Sequence, residues 1–183
     1  MIYPHLDLHT VSLLAGIWLI LSHGFALLCP KPVQKWLRKF PRSKAAGAVF
    51  LGMDSLWALT LIATMDLGEF SNLRTMLLIV IFVATFLTFR YVDEFLAVRA
   101  LGIFMLLIAE PLIEAAFLQP EEGRLFLVVF AYTLATLGMV WVGMPYLMRD
   151  FIDHARSSRT LWSIAALAGI VYGGVLAGYA IIG

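Results

Sequence analysis

Three acidic residues lie inside apolar stretches of the chain, where a charge needs a physical reason. Asp54 falls in the second apolar stretch, about 14 Å from its basic end at 1.5 Å per helical residue. Glu110 and Glu114 lie one helical turn apart in the fourth stretch and therefore share a face. An ionised acid at the centre of a bilayer costs roughly 2.5–3.5 kcal/mol. These positions therefore favour binding of a proton or a cation.

The proline beside Glu110 adds a backbone group to this pattern. Pro111 has no N–H, so a carbonyl in the preceding turn loses its hydrogen bond and a kink or loosened turn is expected. Two carboxylates and a free carbonyl on one wall can bind a cation or share a proton. Structural alternatives stay open. Glu114 can extend to the membrane interface, Glu110 can bond to another helix when protonated, and Asp54 can bond to a neighbour such as Ser55.

Two histidines lie in the first apolar stretch. His9 and His23 are 14 residues apart, which places them on one helix face about 21 Å apart. This spacing resembles one helix of the di-haem cytochrome b core, but each haem would need a second axial ligand and no other span contains a histidine. We therefore expect no cofactor, or haem only if a partner chain supplies ligands. His9 can also lie at the depth of Glu110 and Glu114 and form an outer His/Glu cluster.

Enzymatic and nucleic-acid-binding signatures are absent from the sequence. It contains no Gly-x-Ser-x-Gly elbow, His-Glu-x-x-His motif, P-loop or dinucleotide-binding glycine pattern, so no catalytic residue is predicted. The net charge of +1 argues against nucleic acid as a partner. A single cysteine, Cys29, excludes an intrachain disulfide and a Cys-based metal site formed by this chain alone. The sequence therefore favours a protein that is not an enzyme.

The elements that carry these residues are predicted to be membrane-spanning helices. The 183 residues are 62% hydrophobic and 14% charged, with a mean hydropathy of +0.92, whereas soluble domains carry roughly a quarter charged residues. Residues 1–183 are therefore interpreted as a single all-α, polytopic membrane helix bundle with six transmembrane helices in a lipid bilayer. The predicted spans are Leu8–Cys29, Ala45–Met65, Leu73–Phe89, Phe95–Phe117, Leu125–Met148 and Leu161–Ile182.

The basic residues predict the orientation of the bundle. All but two of the 13 Lys and Arg residues fall in the first, third and fifth joints, and the exceptions are Arg74 and Arg124. The positive-inside rule places those three joints in the cytoplasm and both termini outside. The segment before the first span has no basic residue, which argues against a cleaved signal peptide. We expect a multi-pass protein of the bacterial inner (cytoplasmic) membrane.

The two halves of the chain show weak similarity. An offset of 86 residues aligns Gly16 with Gly102 and Leu51-Gly52-Met53 with Leu137-Gly138-Met139. Residues 1–89 and 90–183 would then form a 3+3 inverted repeat, as in many transporters, although apolar sequences also share residues by chance.

Small residues and charges predict local packing. Gly169-x-x-x-Gly173 and Gly174-x-x-x-Gly178 in the last span allow another helix to approach, either within the bundle or in a dimer. Orientation alone explains the charge of the first joint, and its amphipathic stretch 33–40 can also lie on the inner leaflet and contact anionic lipid. The third joint is expected to form a salt-bridged helix end from Arg90, Asp93, Glu94 and Arg99.

Two functions follow as hypotheses. The first is a small inner-membrane transporter or channel, expected to form a homo-oligomer, that uses buried carboxylates for proton or cation coupling. Its predicted ion- or substrate-binding residues are Asp54, Glu110, Glu114, His9 and His23. The second is a non-catalytic integral membrane subunit of a larger complex, such as a redox complex, in which buried polar groups bind partner membrane subunits or a cofactor.

Overall fold

The six-span helical fold is confirmed. A computed structural model describes residues 3, 6–92 and 94–182, and within them all regular structure is helical. Six segments are long and apolar enough to cross a membrane, which implies a lipid bilayer environment. The long helices are α1 (Leu8–Leu28), α3 (Lys44–Thr64), α4 (Arg74–Tyr91), α5 (Leu96–Ala116), α6 (Arg124–Gly143) and α8 (Arg159–Ile182), and two shorter helices are α2 (Pro30–Lys39) and α7 (Tyr146–Ser157).

The helix ends follow local sequence. Asp7 caps α1, because its Oδ2 accepts the backbone N–H of Thr10 at 3.1 Å. Ser43 caps α3 in the same way, its Oγ accepting the N–H of Ala46 at 3.2 Å. Pro30 opens α2, where a missing N–H costs nothing. Short 3₁₀ helices, Phe40–Arg42 and Gly68–Leu73, lead into α3 and α4.

The predicted end of the fifth span was wrong. That span was expected to continue to Met148, but α6 ends at Gly143, and α7 begins at Tyr146 as a separate amphipathic helix. Pro145 lies between the two helices, and the residue before a proline is disfavoured in helical conformation. The helix α7 then buries Met148 and Ile152 while its charged residues stay exposed or half-buried.

The helix α5 lies at the centre of the bundle. It packs against α3 and α6 and more lightly against α1, while α1 packs along α8. The main core cluster draws residues from α1, α5, α6 and α8, including Leu8, Leu112, Leu127 and Leu176, each 7% exposed or less. By contrast, α4 contacts α3 and contains no buried residue.

Glycines set the closest helix crossings. A Cβ at Gly16 would lie 2.6 Å from the carbonyl oxygen of Gly173, and one at Gly102 would lie 2.8 Å from that of Gly138. Only hydrogen fits at such approaches, so α1–α8 and α5–α6 are glycine-mediated contacts. The prediction that Gly169 and Gly173 seat α8 inside the bundle is confirmed, whereas no atom lies within 4 Å of a Cβ placed at Gly174 or Gly178.

The orientation, the single domain and the half-repeat stay predictions. The aligned Gly16 and Gly102 both lie at close helix crossings, but their partner helices do not correspond. Gly16 of α1 meets α8, whereas Gly102 of α5 meets α6. At the third joint, Asp93 lies outside the described residues. Arg99 Nη1 donates to the carbonyl oxygen of Val142 at 3.1 Å, and no ion pair joins Arg90, Glu94 and Arg99 within the described ranges.

Candidate functional site

The buried carboxylate face

Asp54 occupies the middle of α3 on the face that meets α5. Gly47, Leu51 and Asp54 are the buried residues of α3, spaced at one helical turn. Leu51 forms a cluster with Leu96 and Ala100 of α5, and a Cβ at Gly47 would touch Leu96 and the backbone of Ala97. The two helices run in the same direction, so Asp54 projects toward α5 about 10 Å beyond this contact.

The carboxyl group of Asp54 has no hydrogen-bond partner within the part of the chain that the structure describes. The residue is 3% exposed, and neither side-chain oxygen receives a hydrogen bond from any described residue. The alternative of a structural hydrogen bond between Asp54 and Ser55 is not observed. The hydroxyl of Ser55 bonds instead to the carbonyl oxygen of Leu51 and to Thr85 Oγ1, both at 2.7 Å. Buried polar groups in folded proteins are nearly always hydrogen-bonded. Asp54 departs from this rule, as does Ser12 Oγ on α1.

Glu110 and Glu114 continue the same face of α5. Glu114 lies 18 residues, or about five turns, beyond Leu96, and α5 continues as a helix through Pro111. The two carboxyl groups are close enough to interact electrostatically. Glu110 Oε2 is buried without a hydrogen-bond partner among the described residues, whereas Glu114 Oε1 accepts the backbone N–H of Tyr3 at 3.1 Å.

Aromatic residues separate Asp54 from the glutamates. Trp57, one turn beyond Asp54, donates its Nε1–H to the hydroxyl of Tyr3 at 2.7 Å. Phe104 contacts both Phe50 and Trp57, with ring centroids 5.4 and 6.1 Å apart. Tyr3 therefore links Trp57 to Glu114, and the α3–α5 face carries polar groups from Asp54 to its end. We call Asp54, Trp57, Tyr3, Glu110 and Glu114 the carboxylate face.

The sequence did not assign Tyr3 or Trp57 to this face. Trp57 lies three residues after Asp54, a spacing that places it near the same side of a helix and could have indicated it. Nothing in the sequence indicates Tyr3, because it precedes the first span and its contact with α3 bridges 54 residues.

The histidines of α1

His9 lies beside an acid other than the predicted ones. Its Nε2 is 3.6 Å from Glu121 Oε1, and its ring stacks on Tyr179 with centroids 6.0 Å apart. The hydroxyl of Tyr179 donates to Glu121 Oε2 at 3.4 Å. The expected outer His/Glu cluster therefore involves the α5–α6 joint, and the structure describes no bond between His9 and Glu110 or Glu114.

His23 lies at the other end of α1, packed against α8. Its Nδ1 hydrogen-bonds the carbonyl oxygen of Leu19 at 3.0 Å, and its ring covers Gly169. Both histidines therefore lie on one face of α1, as their spacing predicts. That face meets α8, and both side chains pack against it. Among the described residues, no group of three or more His, Cys, Asp or Glu is arranged to hold a metal ion.

No protein-family profile, curated protein or solved structure matches this chain.

Proposed function

We propose that the chain is a small membrane transporter or channel in which Asp54 binds a proton or a cation during transport. The observation that carries this proposal is the burial of the Asp54 carboxyl group, 3% exposed and without a hydrogen-bond partner among the described residues, in the middle of an apolar helix. A bound cation or a proton removes the cost of a bare charge in this environment.

A purely structural role for Asp54 has less support. Structural acids in membrane helices pair with a neighbouring helix or with backbone groups. The nearest hydroxyl in sequence, Ser55, bonds to Leu51 and Thr85, which joins α3 to α4 without the acid. An unpartnered buried acid lowers the stability of the bundle, so a role in transport accounts for Asp54 better than a structural role does.

Glu110 and Glu114 supply a second station on the same path. The contact of Gly47 with Leu96 sets the register of α3 against α5. At 1.5 Å per residue along the helix axis, Glu110 then lies about 10 Å and Glu114 about 16 Å beyond the level of Asp54. Glu110 Oε2 has no hydrogen-bond partner among the described residues, and Glu110 lies close enough to Glu114 for the two carboxyl groups to share a proton. His9 and His23 face α8, so we place them outside the path and assign them to packing.

The alternative function, a subunit of a larger membrane complex, is favoured by one observation. The helix α4 has no buried residue, and α3 is its main neighbour among the spans. A second copy of the chain or a partner membrane subunit that covers α4 would complete its packing, and lipid alone would do so in a monomer.

Proton flux tests the proposal directly. The purified full chain is reconstituted in liposomes that contain the pH dye pyranine, and a potassium diffusion potential set with valinomycin drives the flux. We expect proton entry above that of protein-free liposomes, and a loss of at least tenfold in Asp54→Asn, which keeps the shape but cannot ionise.

Asp66→Asn is the matched control. Asp66 follows the end of α3, is exposed, and accepts a hydrogen bond from the N–H of Gly68, which an asparagine can also accept. Its flux should equal that of the unchanged chain. Wild-type flux in Asp54→Asn, or none above background in the unchanged chain with protons, Na⁺ or K⁺, would remove Asp54 from any transport mechanism. A stoichiometric second protein co-purifying in mild detergent would then favour the subunit function.

A further inference from the structure

A basic groove lies on the side of the bundle that carries α2 and α7. It is an open concavity of about 620 Å³ between the polar face of α2 and the end of α7. Gln34 lines it together with six cationic side chains and no acidic one. The cationic side chains that line this basic groove are Lys31, Lys35, Arg38, Lys39, Arg42 and Arg156.

The groove is built by an amphipathic helix held in place. In α2 the basic residues recur on one face, while Val33, Trp36 and Leu37 lie on the other. Phe40, directly after α2, is 3% exposed and packs in a cluster with Met148 and Ile152 of α7. The contact fixes α2 against α7, so the groove has two walls from distant parts of the chain.

Its charges are largely unpaired. Lys31, Lys35, Arg38, Lys39 and Arg42 make no ion pair or side-chain hydrogen bond with any residue that the structure describes. Arg156 Nη1 lies 3.4 Å from Asp153 Oδ1, but its buried Nε has no partner there. Several like charges within one concavity repel each other, and a multivalent anion between them offsets that repulsion.

Membrane orientation alone does not account for this arrangement. The positive-inside rule depends on the number of basic residues in a joint and not on their position in a groove. Arg156 comes from a different joint, 114 residues after Arg42, and completes the second wall. We propose that the basic groove is a binding site for a phosphate group, carried either by an anionic phospholipid headgroup or by a soluble phosphate compound.

Phosphate fits the chemistry of the groove. Arginine guanidinium groups bind phosphate oxygens through paired hydrogen bonds, and Arg38, Arg42 and Arg156 supply three of them. The α2 helix directly follows α1, and Trp36 is 60% exposed on its apolar face. That position holds the groove near the membrane surface, where headgroup phosphates and soluble anions are both accessible.

Binding measurements on the purified full chain in neutral detergent test the site. One arm titrates the protein with short-chain phosphatidylglycerol and, for comparison, with phosphatidylcholine. The other arm titrates it with inorganic pyrophosphate, and both use an ionic strength of about 0.1 M. We expect saturable binding of phosphatidylglycerol or of pyrophosphate. The double variant Arg38→Gln/Arg156→Gln should weaken it by about 25-fold, about fivefold for each cation removed.

The double variant Arg90→Gln/Arg159→Gln is the matched control. It removes the same charge from the same predicted side of the membrane, outside the groove, and should change the affinity less than twofold. Saturation by phosphatidylglycerol without competition by pyrophosphate identifies a headgroup, and saturation by pyrophosphate identifies a soluble ligand. Absence of both, or equal weakening in the two double variants, would overturn the proposal. The outcome is independent of proton flux through Asp54.

Discussion

The α1–α8 contact and the carboxylate face are both interfaces between long helices, yet they are built in opposite ways. Between α1 and α8, glycines bring the backbones together, and Trp162 Nε1 donates a hydrogen bond across the contact to the carbonyl oxygen of Ala26 at 3.0 Å. On the carboxylate face, two acids present oxygens that have no described partner. The first interface is arranged for close packing, and the second keeps carboxyl oxygens without a described partner inside the bundle at the expense of stability.

The largest effect is expected from closing the glycine contact. A Cβ in Gly16→Ala would meet the carbonyl oxygen of Gly173 at 2.6 Å and the nitrogen of Ala177 at 2.7 Å. Backbone atoms cannot rotate away, so the helices must separate, at a cost of about 3 kcal/mol. Thermal unfolding in mild detergent, followed by tryptophan fluorescence, measures it. Gly174→Ala, with no atom within 4 Å of the new Cβ, is the control and should not destabilise the protein.

Removing the Asp54 carboxyl group from the carboxylate face should stabilise the protein, in contrast to Gly16→Ala. Asp54→Leu replaces an unpartnered buried carboxyl group by an apolar side chain of similar size, and we expect the free energy of unfolding to rise by about 1–3 kcal/mol. The same unfolding experiment gives the answer. Destabilisation by Asp54→Leu that exceeds that of Asp54→Asn would mean that Asp54 has a structural partner, and the contrast between the two interfaces would fail.

A smaller effect is expected at a hydrogen-bonded part of the carboxylate face. Trp57→Phe removes the indole N–H that bonds to the Tyr3 hydroxyl at 2.7 Å and should cost about 1 kcal/mol. Trp18→Phe is the comparison, because Trp18 is 60% exposed on α1. Equal melting temperatures for the two variants would show that Tyr3 adds nothing to the stability of this face.

The smallest effect is a pH dependence at the start of α1. The backbone N–H of Thr10 bonds to Asp7 and holds the pKa of its carboxyl group below the ordinary value of 3.8. The folded-state pKa is thus the lower one, so this contribution is present above about pH 3.8 and is lost as the pH falls through the folded-state value.

The substitution Asp7→Ala isolates this cap. It should cost about 1 kcal/mol at pH 7, the usual value of an N-cap, and less at pH 3, because the carboxyl group of the unfolded chain is by then largely protonated. Melting temperatures of both forms at the two pH values provide the measurement. A cost that is the same at both would show that the carboxylate charge is not what stabilises this helix end.

Composition and periodicity were sufficient for the spans, because burial in lipid demands long apolar helices whatever their neighbours are. The position of Asp54 at the centre of α3 was predictable for the same reason. The α7 helix was missed because its apolar residues continue directly from the fifth span, and only Met144-Pro145 separates them. Helix partners could not be predicted. The packing of His9 beside Glu121 depends on the joint between α5 and α6, which no single-helix pattern specifies.

The pairing of α1 with α8 has a consequence for synthesis in the cell. About 130 residues separate the end of α1 from the start of α8, so at 5–20 residues per second the ribosome needs roughly 7–26 seconds to deliver the partner of the first helix. Throughout that interval Gly16 and His23 face lipid or the insertion machinery. The α1–α8 contact forms only when α8 has been made, so a truncated nascent chain that lacks α8 should be a favoured target for membrane quality-control proteases.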